Sequence, residues 1–277
     1  MSYIRNELRR LGIPPLKRFG QHFLVDDRIR DNMIACADLS RKDRVLEIGP
    51  GLGFLTTELA KHAGAVVAVE KDRTLAVYLK DHFSGVRNLS VLQDDALRIG
   101  KLECTKIVSS PPYNISSKLI LFILDNKFDL AVLLLQLEFV ERLIANPGTN
   151  EYGRLTATFQ ARAQAELIEK VPQSAFYPMP KVDSAIVTIE PRIIPLRIKD
   201  EAGYEELVRV LFTQRRRKLH GVLSKYLRNK WPSMATSILA DVPNLEKRIF
   251  QIGPMELVDL SNLIAQRTQQ DCERIDA

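Results

Sequence analysis

The stretch that most constrains this chain is residues 44–53, where an apolar run leads directly into alternating glycines. Residues 45–48 include β-branched side chains and predict a short buried strand. A helical pattern then begins at Phe54, after three alternating glycines, Gly49, Gly51 and Gly53. Strand, glycine turn and helix in this order let a ligand approach the backbone where side chains would otherwise block it. A glycine-rich turn that binds nothing is the simpler alternative.

The spacing of these glycines separates two classes of ligand. A dinucleotide fingerprint reads Gly-x-Gly-x-x-Gly, whereas residues 47–53 read Glu-x-Gly-x-Gly-x-Gly, with the third glycine one position early. This form resembles motif I of the S-adenosylmethionine-dependent methyltransferases, whose loop binds an amino acid and a nucleoside. The spacing, together with the lack of a catalytic acid pair, disfavours a nicotinamide dehydrogenase.

From residue 44 to about residue 190, β-branched apolar runs alternate with helical segments, which predicts a parallel α/β sheet. After the first strand, further strands are predicted at 65–70, 89–93, 106–109, 129–137 and 183–190. Residues 191–195 break the pattern, and beyond them helices are predicted at 204–212, 215–227, near 245–250 and at 254–266. We therefore predict two domains, 1–192 with an N-terminal arm at 1–25, and 193–277.

Acidic residues end or follow two of the predicted strands. Glu70 lies 21 residues beyond Gly49, where a carboxylate can accept hydrogen bonds from both hydroxyls of a ribose. Its alternative role is a helix N-cap. Asp95 follows the next strand, where an acid can accept from the amino group of an adenine, although Asp-rich loops are common.

A second signal follows the strand at 106–109, where the chain reads Ser-Ser-Pro-Pro-Tyr-Asn-Ile-Ser. Two prolines hold the backbone extended, and the first also restricts Ser110. The turn should present the Ser110 hydroxyl and a neighbouring carbonyl as acceptors, with Tyr113 as an adjacent flat face. Ser116 or Ser117 is expected to cap the helix that follows. The simpler alternative is a proline turn after a strand.

The net charge of +6 admits an anionic partner without requiring one. Four consecutive cations at 215–218 are expected on a helix. Beside a nucleoside-binding domain they favour contact with RNA phosphates over a plain solvated face. A proline-stiffened loop carries Phe176 and Lys181; taken alone, such a loop is more often a structural crossover than a base-stacking site.

Other classes of site and location are disfavoured. The three cysteines and four histidines are scattered, so neither a disulfide framework nor a metal site is expected. No apolar run reaches the roughly 18 residues that span a bilayer, and the N-terminus lacks the apolar core of a signal peptide. We expect a cytoplasmic monomer that does not bind membranes.

Six motifs, in this order along the chain, resemble the KsgA family of small-subunit ribosomal RNA adenine dimethyltransferases. They are Phe-Gly-Gln-His-Phe-Leu-x-Asp at 19–26, Glu-Ile-Gly-Pro-Gly-Leu-Gly at 47–53, Asp-Ala-Leu at 95–97, Pro-Pro-Tyr-Asn-Ile-Ser-Ser at 111–117, Phe-x-Pro-x-Pro-Lys-Val-Asp-Ser at 176–184 and Phe-x-x-Arg-Arg-x-Lys-Leu at 212–219. The resemblance extends from about Lys17 to the C-terminus. The sequence Lys-Val-Asp-Ser resembles that of archaeal members of the family.

The resemblance implies a Rossmann-like S-adenosylmethionine-dependent methyltransferase sheet followed by a smaller, all-helical, basic RNA-binding domain. It implies dimethylation of two adjacent adenosines in the last small-subunit helix, within a partly assembled subunit. By this resemblance, the cofactor-binding residues are expected to be His22, Leu24, Gly49, Gly51, Glu70, Asp95 and Ser110. Amine positioning is carried over to Ser110 and Pro111, with stacking of the base between Tyr113 and Phe176. RNA contacts are expected at Arg215, Arg216, Arg217, Lys218 and Lys181. The family more often has Asn where this chain has His22 and Ser110.

Two alternative functions remain open at this stage. The large-subunit rRNA adenine methyltransferases that confer macrolide resistance share the glycine and Pro-Tyr motifs, although the motif at 176–184 argues against them. A non-catalytic RNA-binding assembly factor is the other alternative; the intact glycine loop, Glu70 and the Pro-Pro-Tyr turn favour activity.

Overall fold

The computed structural model of the chain describes residues 2–16, 20–100, 102–192 and 196–275, with side chains for all of these except 2, 3 and 270–275. Residues 17–19 of the first motif and 193–195 of the predicted domain boundary lie outside the described residues, as does the side chain of Cys272. The chain divides into two compact units. The first comprises 1–141 and 164–191, and the second comprises 142–163 and the residues from 192 onward.

The first unit is built around a seven-stranded sheet. Its strands are β2 (Arg44–Ile48), β3 (Ala65–Glu70), β4 (Leu89–Gln93), β5 (Lys106–Ser109), β6 (Leu130–Gln136), β7 (Ala163–Val171) and β9 (Ser184–Pro191). They lie in the order β4-β3-β2-β5-β6-β9-β7. The first five of them in chain order pair in parallel, whereas β9 is antiparallel to β6. The predicted α/β sheet is confirmed, with an antiparallel addition.

Helices α2 (Asp27–Ala37), α3 (Phe54–His62), α4 (Arg73–His82) and α5 (Ser116–Leu124) connect or flank these strands, and α6 (Leu137–Leu143) follows β6. Strand β6, between β5 and β9, is buried along its whole middle, residues 131–135, as expected of a strand that is covered on both faces. Before these elements lies α1 (Ser2–Arg10), which the sequence patterns did not predict.

A separate two-stranded sheet joins distant motifs within the first unit. In it β1 (Phe23–Leu24) runs antiparallel to β8 (Phe176–Tyr177), with Leu24 opposite Phe176 and Phe23 opposite Tyr177. The first motif is thereby fixed against the proline-rich loop, about 150 residues later in the chain.

The second unit is helical, with α7 (Arg154–Gln160), α8 (Glu201–Phe212), α9 (Leu219–Lys230), α10 (Ala235–Ala240) and α11 (Pro254–Ile275). Its apolar core takes residues from all five helices, including Ala157, Tyr204, Leu223, Ile238 and Leu257. By contacts, residues 142–163 group with the C-terminal helices, whereas the sequence prediction assigned everything up to 192 to the first domain.

Two local predictions were wrong in the C-terminal region. The helix predicted from residue 215 begins at Leu219, because the amides of Leu219, Ile249 and Phe250 pair this segment with residues 247–250 instead of continuing a helix. Residues 215 and 216 form a turn, and Lys218 makes an isolated antiparallel bridge with Arg248. The short helix predicted near 245–250 is a single 3₁₀ turn at Ile249–Gln251.

The prediction that Ser116 or Ser117 caps α5 was also wrong. A 3₁₀ turn at Tyr113–Ile115 runs directly into the helix, so Ser116 already has helical dihedrals. Its hydroxyl donates back to the Tyr113 carbonyl at 2.9 Å and caps no amide, and the N-cap position falls on Ile115.

Candidate active site

The candidate site is a cavity at the carboxyl ends of the parallel strands. Strand order reverses at β2: β3 and β4 lie on one side of it and β5 on the other. Open α/β sheets bind ligands outside the carboxyl ends of their strands at such a reversal. The cavity is lined by residues from six sequence segments, among them His22, Leu24, Glu47, Gly49, Gly51, Glu70, Asp95, Ser110, Pro111 and Tyr113.

The glycine loop after β2 adopts backbone angles that would be strained in residues other than glycine. Gly49 and Gly53 have φ angles of 71° and 80°. A Cβ on Gly49 would lie 3.2 Å from Pro112 Cδ, and one on Gly53 would lie 2.6 Å from the Phe83 ring. The glycines therefore allow both the left-handed turn and close packing of the Pro-Pro segment against the loop.

Glu70, at the end of β3, is 6% exposed and is tied to the glycine loop. Its carboxylate accepts from the Gly51 amide at 3.1 Å and from the Asp72 amide at 2.8 Å. Burial raises the pKa of Glu70 to about 7, against the lowering effect of these amides. The N-cap alternative for Glu70 is wrong, because Asp72 caps α4 by accepting from the Thr74 amide.

Glu47 is a second buried carboxyl in the same cavity, 1% exposed within an otherwise apolar strand. Burial raises its pKa to about 8, and the nearby carboxylate of Glu70 adds to this. Glu47 Oε2 and Thr56 Oγ1 are buried and neither completes a hydrogen bond of normal geometry, although Thr56 lies close enough to Glu47 to act against the rise in its pKa. A buried acceptor with no partner is costly unless a ligand satisfies it.

Asp95, which follows β4, also lines the cavity. Burial acts to raise its pKa, but hydrogen bonds from Lys71 Nζ at 2.9 Å and from the Leu97 amide outweigh burial and hold the pKa below its usual value. Asp95 is thus a fixed negative charge at the cavity rim.

The Pro-Pro-Tyr turn is held in place by hydrogen bonds to β2 and β9. Ser109 Oγ donates to the Ile48 carbonyl at 2.5 Å, which joins β5 to β2 beneath the turn. The hydroxyls of Tyr113 and Ser184 share a hydrogen bond at 2.5 Å, and Ser184 is fully buried. The Tyr113 ring is therefore held in place by β9.

Three aromatic rings meet beside this turn. His22 stacks on Tyr113 with ring centroids 5.7 Å apart, and His22 Nδ1 donates to the Pro178 carbonyl at 2.7 Å. Phe176 meets Tyr113 edge-on, at 6.2 Å and 75° between ring planes. Phe176 is 4% exposed and does not line the cavity. A planar base cannot lie between two rings at that angle, so the expected Tyr113–Phe176 sandwich is not formed in this arrangement.

The predicted RNA-contacting residues have different surroundings. Arg215 is half-buried, and its guanidinium donates to the Asn150 carbonyl at 2.7 Å and lies 5.7 Å from the Phe250 ring centroid. Lys218 pairs with Glu246 at 2.5 Å. The side chains of Arg216 and Arg217 are exposed in the second unit, as is that of Lys181 in the first.

Sequence reasoning did not select Glu47 or Ser184 as site residues. Glu47 could have been recognised from the sequence as an acidic residue among the apolar residues of a predicted strand, since carboxyls are rarely buried unless they are paired. Ser184 could not be found in this way, because its contact with Tyr113 depends on where β9 lies in the sheet.

Within the described ranges no group of three or more His, Cys, Asp or Glu side chains is arranged to hold a metal ion. A search of the same residues found no helix long and apolar enough to cross a membrane.

Comparison with known proteins gives consistent results. Residues 16–252 match the family model described as ribosomal RNA adenine dimethylase. A relative from Thermococcus gammatolerans, described as a probable ribosomal RNA small subunit methyltransferase A, is 41% identical over 90% of this chain and 89% of its own. A relative with the same description from Methanosarcina mazei is 40% identical over 89% of this chain and 92% of its own.

Solved structures show the same architecture. A dimethyladenosine transferase from Plasmodium falciparum superposes with a TM-score of 0.77 at 28% identity, over 86% of this chain and 96% of its own. The 23S rRNA methyltransferase ErmE superposes with a TM-score of 0.62 at 29% identity, over 88% of this chain and 99% of its own.

Proposed function

The chain belongs to the ribosomal RNA adenine dimethylase family, and we propose that it transfers methyl groups from S-adenosylmethionine to the exocyclic amines of two adjacent adenosines near the 3′ end of small-subunit rRNA. The relatives described as small subunit methyltransferases support the choice of subunit. The observation that carries the chemistry is the meeting of the glycine loop, Glu70 and the Ser-Pro-Pro-Tyr turn in one cavity.

The cavity fits the parts of S-adenosylmethionine. Glu47 Oε2 is a buried oxygen without a hydrogen bond of normal geometry, and an ammonium group beside it would favour the ionised form of this carboxyl, whose pKa burial raises. Glu70 keeps lone pairs for ribose hydroxyls beside the two amides that it accepts from. Asp95 would accept from an adenine amino group. Gly49 and Gly51 leave room for the cofactor to approach the loop backbone, while their own amides donate to the Val69 carbonyl and to Glu70. His22 and Leu24 would close the same cavity. The bound cofactor supplies an already activated methyl group.

The residues of the turn would make the amine reactive. The lone pair of an adenine exocyclic nitrogen is delocalised into the ring, so it is a poor nucleophile. Acceptors at Ser110 Oγ and the Pro111 carbonyl would favour a pyramidal nitrogen and localise the lone pair. Alignment of nitrogen with the methyl group can then supply much of the rate, so no general base of high pKa is needed.

Tyr113 would hold the extruded adenine by stacking, which is worth roughly 1–3 kcal/mol per base. The hydrogen bond to Ser184 and the edge contact with Phe176 fix the ring for this purpose. In the present arrangement Phe176 supports Tyr113 and does not itself face a base.

The second unit would hold the RNA backbone. Arg216 and Arg217 are exposed on its basic turn, and Lys181 is exposed on the proline-rich loop of the first unit. Arg215 and Lys218 are engaged by the Asn150 carbonyl and by Glu246, so we assign them weaker RNA contacts. We further propose that 1–192 binds cofactor and adenine and that 193–277 binds RNA, with a partly assembled subunit as substrate and the protein acting as a monomer.

Methyl transfer to ribosomal subunits tests this proposal. The protein is incubated with labelled S-adenosylmethionine and undermethylated small or large subunits, with Tyr113→Ala as the matched inactive control. We expect label on two adjacent adenosines near the 3′ end of the small-subunit rRNA, located by primer extension. Label confined to large subunits would support the function of the structurally similar 23S rRNA methyltransferase instead. Absence of label from both would overturn the enzymatic proposal.

A further inference from the structure

Helix α1 lies outside the region that the family model matches, yet it reaches the cofactor cavity. The family match begins at residue 16, and α1 ends at Arg10. Ile4 nevertheless lines the cavity, together with Leu52 of the glycine loop and Leu75 of α4. Ile4 is 3% exposed. Any ligand that fills this part of the cavity contacts a side chain that the family motifs do not include.

The seat of α1 is an apolar cluster built from one face of the helix. Ile4 and Leu8, four residues apart, are buried on the same face. They pack with Ile13, Phe23, Val25, Leu52 and Leu75. The opposite face is exposed at Arg5, Asn6 and Arg9.

Polar contacts hold the same helix at its sides. The Arg5 guanidinium lies 5.5 Å from the centroid of the Tyr177 ring in β8. Glu7 accepts from the hydroxyl of Tyr78 on α4 at 3.4 Å. The helix is thus attached to β8, which pairs with β1, and to α4, whose Leu75 lines the cavity.

The end of α1 is well defined. Gly12 has a φ angle of 65°, its amide donates to the Arg9 carbonyl, and the Ile13 amide donates to the Leu8 carbonyl at 3.0 Å. This is a Schellman-type ending, and two prolines then prevent the helix from continuing. Past the prolines, Gln21 accepts from the Leu16 amide and donates to Asp72 of the α4 cap.

We propose that α1 is a wall of the cofactor site, that Ile4 contacts the bound cofactor, and that this contact slows cofactor release. The inference rests on the proposed function, because it takes S-adenosylmethionine as the ligand of the cavity. Each amine receives two methyl groups and so consumes two cofactor molecules in succession. A wall that slows cofactor release therefore also affects the exchange of cofactor between the two transfers.

Binding kinetics of S-adenosylmethionine to the full chain test this inference. Ile4→Ala should raise Kd about tenfold, mainly through faster dissociation, because an apolar contact with the ligand is lost. Asn6→Ala, on the exposed face of the same helix, should leave Kd and the dissociation rate unchanged. Calorimetry gives the Kd and stopped-flow fluorescence gives the rate.

Two further variants separate contact from helix seating. Leu8→Ala removes a similar side chain from the same cluster without touching the cavity, so its effect on Kd should be clearly smaller than that of Ile4→Ala. Ile4→Trp keeps the apolar seat but fills the cavity, and it should also weaken binding. Circular dichroism verifies that each variant is folded.

The outcomes distinguish this inference from the proposed function. If the unaltered chain binds no S-adenosylmethionine, the proposed function fails. If it binds the cofactor and Ile4→Ala and Ile4→Trp bind equally well, only the role of α1 fails. Equal effects of Leu8→Ala and Ile4→Ala would overturn direct contact by Ile4.

Discussion

The cavity of the first unit and the basic turn of the second unit relate sequence to structure in opposite ways. Glu47, Glu70 and Ser110 are far apart in the chain but line one cavity. Arg215 and Lys218 belong to one run of four cations, but the structure gives them separate partners, the Asn150 carbonyl and Glu246.

The difference lies in what fixes each residue. Glu47, Glu70 and Ser110 lie at or next to the carboxyl ends of parallel strands, and the order of the strands brings those ends together whatever the surface contains. The position of a cation on a turn does not settle its role, because carbonyls and carboxylates elsewhere in the unit compete for it with a nucleic acid. Strand-end motifs should therefore be intolerant of substitution. The four cations should differ from one another in how their substitution affects RNA binding and stability.

The largest expected effect is at the glycine loop. Gly53→Ala puts a Cβ 2.6 Å from the Phe83 ring at a φ angle of 80°. We expect a loss of about 2–5 kcal/mol in the free energy of unfolding, from left-handed strain plus overpacking. Chemical denaturation measures the loss, and S-adenosylmethionine binding should weaken in parallel.

Gly100→Ala is the matched control for this substitution. Gly100 has a φ angle of 77°, but a Cβ added to it would have no heavy atom within 4 Å beyond its chain neighbours, so only the backbone strain of about 1–2 kcal/mol should remain. Equal losses for both variants would show that packing around the glycine loop does not constrain it, which would weaken the contrast with the basic turn.

The next effect concerns the turn itself. Tyr113→Ala should lower methyl transfer about 100- to 1000-fold, because both stacking and positioning of the adenine are lost. S-adenosylmethionine affinity should change less than about threefold, since the stacked group is the substrate base. Ser184→Ala should cause a smaller loss of transfer in the same direction, because it removes only the hydrogen bond that holds the ring. Calorimetry showing that Tyr113→Ala loses cofactor binding as well would reject the stacking role.

The sequence was sufficient to predict six of the seven strands of the sheet, all but β7, and several residues of the cavity. Strands carry their own apolar, β-branched signal, and the family resemblance assigned several residues at or after predicted strand ends to one cofactor. Gly49, Glu70 and Ser110 do line one cavity. The prediction worked because backbone topology, which local patterns encode, determines where strand ends lie.

Features that depend on contacts between distant segments of the chain could not be predicted. Phe176 turns edge-on to Tyr113 because β8 pairs with β1 and buries it. The helix expected from residue 215 is delayed by backbone pairing with residues 247–250. The helical periodicity at 219–227 correctly predicted α9. No local pattern, however, shows that the backbone just before this helix pairs with a distant segment of the chain.

The pH dependence of stability should separate the two regions. Glu47 has its pKa raised by burial to about 8, so the folded chain keeps a proton that the unfolded chain loses above its ordinary value of 4.5. The free energy of unfolding should therefore fall as pH rises from 5 to 8, and Glu70 acts in the same direction. Glu47→Gln should reduce this slope by up to about 1.4 kcal/mol per pH unit.

Glu246, beside the basic turn, provides a matched carboxyl. Its pKa is lowered by the hydrogen bond from Lys218, so its contribution is lost only as pH falls below its ordinary value of 4.5. Glu246→Gln should leave the slope between pH 5 and 8 unchanged. Urea unfolding across this range measures both variants. An unaltered slope in Glu47→Gln would show that the cavity carboxyl is not protonated in the folded chain.

The smallest effect is expected from the cations, and it should differ within the run. Arg216→Ala with Arg217→Ala removes two exposed charges, so affinity for the 3′-terminal hairpin of small-subunit rRNA should fall several-fold, and the salt slope should decrease by about 1.5. Arg215→Ala breaks the hydrogen bond to Asn150, so it should lower the melting temperature and leave the salt slope nearly unchanged. Fluorescence anisotropy across salt concentrations and thermal unfolding measure the pair. If Arg215→Ala shifts the slope as much as the double variant and leaves stability intact, the four cations act as one RNA-binding group, and the contrast with the cavity disappears.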